Sequence, residues 1–175
     1  MESSFSGDSR FYNNIFASQK ERVVWPERVP EELDNQHYFG QVPYDNSGLP
    51  VVMTGNVFLG QAEPSTHEQN PVSDSEIEPG YELMEKEDGW YLQLAFDPTW
   101  LDHKRPLVTS ALLGEAKIPG LPFVKSDGSQ YQLDTDYFGD KRHLDNPAPG
   151  PVIAPGDEQQ WLKVWQRRPS LERKF

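Results

Sequence analysis

Phe11-Tyr12-Asn13-Asn14-Ile15-Phe16 and Met53-Thr54-Gly55-Asn56-Val57-Phe58 are the stretches on which the fold turns. Each carries asparagine, then a β-branched aliphatic, then phenylalanine, and Asn14 and Asn56 lie 42 residues apart. An asparagine can take a left-handed bend or stack its amide on a like neighbour, and the residues after it favour strands. That combination suits the corner of a coil in a right-handed parallel β-helix. Chance recurrence of two triplets is the alternative. The interval exceeds one coil of about 20 to 25 residues, so a loop is expected between the two coils. The stretch from Glu27 to Pro50 supplies it, with Pro30, Pro43, Pro50, Gly40 and Gly48 and few apolar residues. Long loops in compact proteins are commonly functional.

Further along, Trp90-Tyr-Leu-Gln-Leu-Ala-Phe96 places Trp90, Leu92, Leu94 and Phe96 on one side of an extended chain. Asp88-Gly89 and Asp127-Gly128 are dipeptides of tight hairpin turns, each between runs of strand character. Tyr131 to Gly139 alternates again, so Trp90 to Gly139 is expected to be a small antiparallel β unit whose core includes Trp90, Trp100, Tyr131 and Tyr137. Trp161-Leu-Lys-Val-Trp165 suits a last strand, while Asp157, Glu158 and Gln159 would equally favour a helix start. The fold class expected is therefore all-β: partial right-handed parallel β-helix coils, then a small antiparallel β unit with long loops. The domains expected are 1–72 for the coils and inserted loop, 73–151 for the antiparallel unit, and 152–175 for a strand or short helix.

Composition narrows the function classes. The chain has 175 residues, of which 35% are hydrophobic, with 16 Pro and 13 Gly, so the core is small and helix scarce. An aromatic content of 12% argues against simple disorder. A net charge of -12 disfavours nucleic acid and anionic membrane surfaces as partners, because both are polyanions. There is no Cys, hence no disulfide framework or thiolate metal site. The N-terminal stretch has neither a basic start nor an apolar run, so no signal peptide is expected. Nor does any stretch reach the roughly 20 apolar residues of a membrane span. A soluble chain is expected, with a cytoplasmic location compatible and the compartment open.

Gln61 to Gly80 is polar and lacks a period, which reads as a linker or a strand-poor wrap. Within it Asp74, Glu76 and Glu78 could line one face of a strand as a solvated acidic edge. Asn146-Pro-Ala-Pro-Gly-Pro151 reads as a stiff, extended segment. Asp134, Asp136, Gly139 and Asp145 match positions 1, 3, 6 and 12 of a calcium loop, but Phe138 stands where a ligand is needed. A turn with Asp caps is the simpler reading. His37, His67, His103 and His143 are scattered, without metal-ligand spacing, and no nucleophile elbow or phosphate-binding glycine loop occurs. No cofactor is expected.

The sequence resembles a known group. Asn13-Asn-Ile-Phe16, Gly55-Asn-Val-Phe-Leu59 with Ala62-Glu-Pro-Ser65 and Glu68-Gln-Asn-Pro71, Leu112-Leu-Gly114 with Ile118-Pro119 and Pro122-Phe123, Asp127-Gly128, Asp134-Thr-Asp-Tyr-Phe-Gly139, Arg142 and Pro147-Ala-Pro-Gly-Pro151 carry the likeness. Together they resemble the C-terminal region of bacterial right-handed β-helix glycoside hydrolases, above all the β-xylosidases of glycoside hydrolase family 120. The resemblance covers most of the chain, roughly Phe11 to Pro151, and lies in structural signatures. It implies an Asp nucleophile and a Glu acid/base on coils upstream of the matched region, about 5 to 5.5 Å apart in a retaining enzyme. No residue of this chain matches either position, so no catalytic residue is assigned, and the chain is expected to be part of a longer stack. Upstream β-helix coils or another copy of the chain are then partners, with a xylan-type oligosaccharide as ligand.

Aromatic rings stack on the C–H faces of sugars while polar groups satisfy the hydroxyls. Trp25, His37, Tyr38 and Tyr44, on or beside the long insertion, are accordingly the candidates for lining a substrate cleft. Three readings follow: part of a carbohydrate-active enzyme inactive alone, a carbohydrate-binding module, or a structural cap on a β-helix.

Overall fold

The computed structural model describes residues 8–18, 40–76, 81–94, 96–153 and 161–166. Six short strands form three successive coils: β1 Ser9–Tyr12 with β2 Ile15–Ser18, β3 Val51–Thr54 with β4 Val57–Gly60, and β5 Glu68–Gln69 with β6 Val72–Asp74. Their first halves make one parallel sheet, β1-β3-β5, and their second halves another, β2-β4-β6. Register is strict. Phe11 lies beside Met53 and Ile15 beside Val57, and Val57 in turn lies beside Val72. This is the coil stacking that the two asparagine triplets imply.

The corner between the two halves is made by backbone that most residues avoid. Asn13 and Asn70 have φ of +57° and Gly55 has φ of +71°, each two residues before a β-branched side chain. Short polar residues and glycine reach this left-handed region at least cost. Of the two readings of Gln61 to Gly80, the third coil excludes the linker and agrees with the strand-poor wrap, because the short strands β5 and β6 lie within it. Pro71 stands where Asn14 and Asn56 stand in the first two coils, which hides the repeat. The expected acidic strand face is also corrected. Asp74 ends β6, and its side chain accepts from the Glu76 N–H in a bend, while Glu78 lies outside the described residues.

Two apolar layers enclose β4, whose Val57, Phe58 and Leu59 are all buried. On one side the rings of Phe16 and Phe58 stack at 5.3 Å, with Phe11 6.2 Å from Phe16. On the other, Val57 and Leu59 meet Trp100, 1% exposed, with Ile15, Val72 and Phe96 packed around them. Trp100 sits in a 3-10 turn, Pro98–Asp102, that the Asp97 side chain caps by accepting from Thr99 N.

A separate antiparallel sheet orders β7 Glu82–Lys86, β8 Gly89–Gln93 and β9 Trp161–Gln166. The Asp88-Gly89 hairpin forms, but Glu87 and Asp88 are the turn pair and Gly89 already belongs to β8. A Cβ on Gly89 would stand 2.0 Å from the Trp165 carbonyl oxygen, so close approach of β9 demands the glycine. Trp161 to Trp165 is a strand, as expected, while Asp157, Glu158 and Gln159, the alternative helix start, lie outside the described residues.

The expected Trp90–Gly139 unit needs correction. Residues 96–153 contain turns, isolated bridges such as Val124 with Gln130, and one short helix, Ser110–Leu113. The Asp127-Gly128 turn is present, with Gly128 at φ +82°. Tyr131 to Gly139 makes no strand, because its pairing is limited to single bridges at Gln132 and Thr135. Of the expected core aromatics Trp100 alone is buried, whereas Trp90, Tyr131 and Tyr137 are exposed. The proline-rich segment does pack, with Pro147 and Pro149 among the fully buried side chains. No helix among the described residues is long and apolar enough to cross a membrane.

Candidate functional site

The inserted loop returns to the coils at Gly40, and this junction is tightly built. Gly40 pairs with Glu63, and Gln41 N donates to Glu63 O at 2.9 Å. A Cβ at Gly40 would meet Glu63 O at 2.4 Å, and φ there is +89°, so both space and backbone require glycine. Val42–Tyr44 then forms a 3-10 turn, and the Tyr44 ring rests on Phe11 at 4.9 Å. Asp45 fixes the turn from below by accepting from Ser65 Oγ at 2.5 Å and Thr66 N at 2.8 Å. Those donors, Ser65 first and then Thr66, hold its carboxyl below the usual carboxylate range.

Beneath the junction runs a buried polar ladder. Asn56, with no exposed surface, accepts through Oδ1 from Asn14 N at 2.8 Å and Asn14 Nδ2 at 2.9 Å. Its Nδ2 donates to Phe11 O at 2.9 Å and to Glu68 Oε2 at 2.6 Å. The third coil has no asparagine at this point, so a carboxylate ends the ladder. Burial pushes the Glu68 carboxyl above its ordinary value, outweighing the hydrogen bonds from Asn56. Gln41, fully buried beside it, also lowers that carboxyl, less than Asn56 does, through a contact looser than a well-formed hydrogen bond.

Of the residues expected to line a cleft, Tyr44 sits at the foot of the insertion, half-buried against Phe11. Trp25, His37 and Tyr38 lie outside the described residues. Two carboxylates of the calcium-like loop, Asp134 and Asp136, are committed to other partners. Asp134 pairs with Lys141 at 2.7 Å. Asp136 accepts from Phe138 N, Asp140 N and Ile153 N at 2.8, 2.9 and 3.0 Å. Burial pushes the Asp136 carboxyl up, but the three N–H donors and Arg142 outweigh it and hold it below its ordinary value. Among the described residues no group of three or more His, Cys, Asp or Glu could hold a metal ion.

A groove of about 740 Å³ runs along the first coil. Tyr12, Asn14, Ile15 and Ala17 lie on the coil side; Leu92 of the antiparallel sheet and Leu94 just beyond it, with Leu133 and Tyr137, form the other wall. Sequence reasoning missed it because its walls come from three separate stretches. Arg142 at its margin donates to the carbonyls of Thr135, Ala148 and Gly150 and so ties its loops together.

No family model matches the chain, and no curated protein matches it. Among solved structures, the complex of XylC with xylose matches with a TM-score of 0.71 at 23% identity. The match covers 92% of this chain and 27% of that one, so the chain spans about a quarter of the length of the protein it resembles. This likeness shows the fold.

Proposed function

We propose that this chain is the C-terminal portion of a carbohydrate-active β-helix protein. In this reading the protein is a glycoside hydrolase of xylo-oligosaccharides, similar to the β-xylosidases of glycoside hydrolase family 120, with its catalytic carboxylates outside the chain. The observation that carries it is the three-coil parallel stack, whose fold is shared with a protein solved with xylose. The engaged states of Asp45, Glu68, Asp134 and Asp136 agree with it, since a glycosidase needs two carboxylates facing one sugar bond. Trp25, His37, Tyr38 and Tyr44 would line the sugar cleft from the insertion, stacking on pyranose faces and bonding hydroxyls. The same commitment of carboxylates favours, as a second reading, a non-catalytic carbohydrate-binding or capping module.

Chromogenic xyloside and arabinofuranoside, offered to the chain alone and mixed with the polypeptide encoded immediately upstream, distinguish the two. Hydrolysis only in the mixture is the expected result. Hydrolysis by the chain alone would place the active site within it, and saturable sugar binding without hydrolysis in the mixture would support the second reading.

A further inference from the structure

Among the described residues the first coil has one used edge and one open edge. Ser9 N and Asn13 N donate to Pro50 O and Thr54 O of the second coil, and Asn14 O and Ser18 O accept from Val57 N and Gln61 N. In a parallel ladder alternate residues bond to alternate sides. The backbone groups of Arg10, Tyr12, Ile15 and Ala17 therefore face away from the second coil, and among the described residues no strand pairs with that edge. Tyr12, Ile15 and Ala17 are also residues of the 740 Å³ groove.

We propose that this groove is the seat of one more parallel coil. The chemistry of its occupant follows from moving the observed ladder by one strand spacing, about 4.8 Å. Asn56 Oδ1 accepts from the N and Nδ2 of Asn14, so Asn14 Oδ1 is to accept from the N and Nδ2 of an asparagine above it. The residue before that asparagine must reach positive φ, as Asn13 and Gly55 do. The residue after it is β-branched, stacking on Ile15 as Ile15 stacks on Val57. The facing wall of Leu92, Leu94, Leu133 and Tyr137 meets the coil's apolar side chains.

A sugar is a poor fit to the same space. Its hydroxyls need converging polar partners, and the charged groups there, Asp136 and Arg142, are spent on backbone N–H and C=O groups. The proposal rests on the reading of the chain as one part of a longer coil stack, and it specifies which surface receives the rest.

The test supplies such a coil from the chain's own sequence. A duplicate of residues 50–67 is inserted between Gly7 and Asp8 of the full chain, and backbone hydrogen exchange is followed residue by residue. The amides of Tyr12 and Ala17 are expected to exchange about tenfold more slowly than in the natural chain. Replacing the duplicate's own asparagine by alanine should abolish most of that protection. A second version places the duplicate ahead of Met1, so that a strained junction is not mistaken for failure to dock. Unchanged exchange at Tyr12 and Ala17 in both versions, with native Trp100 emission, would overturn the proposal. Exchange reads docking without any sugar and hydrolysis reads chemistry without any duplicate, so failure of either is separable from failure of the other.

Discussion

Replacing Asn56 by alanine removes four side-chain hydrogen bonds at one buried point. A typical net contribution is about 1 kcal/mol per bond, and about 1.5 to 3 kcal/mol where one partner is charged, as Glu68 is. Asn14 Nδ2 regains water, because Asn14 is exposed, but Asn14 N, Phe11 O and the Glu68 carboxylate lose partners in partly buried surroundings. The cost is therefore about 3 to 5 kcal/mol, a large share of the roughly 5 to 15 kcal/mol that stabilises most domains. Urea unfolding followed by tryptophan emission measures it, since Trp100 packs on Val57 and Leu59 next to the ladder. Asn14→Ala is the control. It deletes one side-chain bond, Nδ2 to Asn56, and should cost about 1 kcal/mol. A loss under about 1 kcal/mol for Asn56→Ala, or equal losses for the two variants, would refute the idea that the ladder ties the coils together.

Three further substitutions probe the glycine at the foot of the insertion and the partly buried acid of the third coil. Gly40→Ala combines a positive φ with a clash against the Glu63 carbonyl and should cost roughly 2 to 3 kcal/mol, whereas Gly128→Ala, at a similar φ with open space, should cost about 1 kcal/mol; equal urea midpoints would contradict this. Glu68→Gln tests the raised carboxyl. Because burial lifts the folded-state value above the ordinary 4.5, the stability contribution of protonated Glu68 is complete below 4.5 and is lost as pH rises through the folded value. The variant should thus gain on the natural chain as pH climbs from about 4 to about 7, and parallel stability profiles over that range would exclude the effect.

The coils were legible at two corners and hidden at the third. Asn14-Ile15-Phe16 and Asn56-Val57-Phe58 display both the ladder residue and the aliphatic stack, and the structure sets them in register. At Asn70-Pro71-Val72 the ladder residue is replaced, and its role passes to Glu68, two positions upstream of the bend. The signal that survives in all three is a residue able to reach positive φ followed two positions later by a β-branched one: Asn13 and Ile15, Gly55 and Val57, Asn70 and Val72. Alternation misled between Tyr131 and Gly139, where Asp134 and Asp136 use their side chains on Lys141 and on backbone N–H groups, building turns in place of a ladder. It also misled at Trp90, because that face of the antiparallel sheet pairs Trp90 with Trp165 at the surface. The groove beside the first coil had no signature at all, since its walls converge only through tertiary contacts.

The proposed function requires parallel stacking of the first two coils, and the absence of cysteine from the sequence makes that stacking directly measurable. Ser9 and Val51 are register partners across β1 and β3. Adjacent parallel strands lie about 4.8 Å apart, within the roughly 4.4 to 6.8 Å Cα range of disulfides. Ser9→Cys with Val51→Cys should oxidise to an intramolecular bridge in the folded chain, while Ser9→Cys with Thr54→Cys, three positions out of register, should not. Bridging of the second pair in preference to the first would contradict the coil stack, and with it the proposed place of this chain in a carbohydrate-active protein.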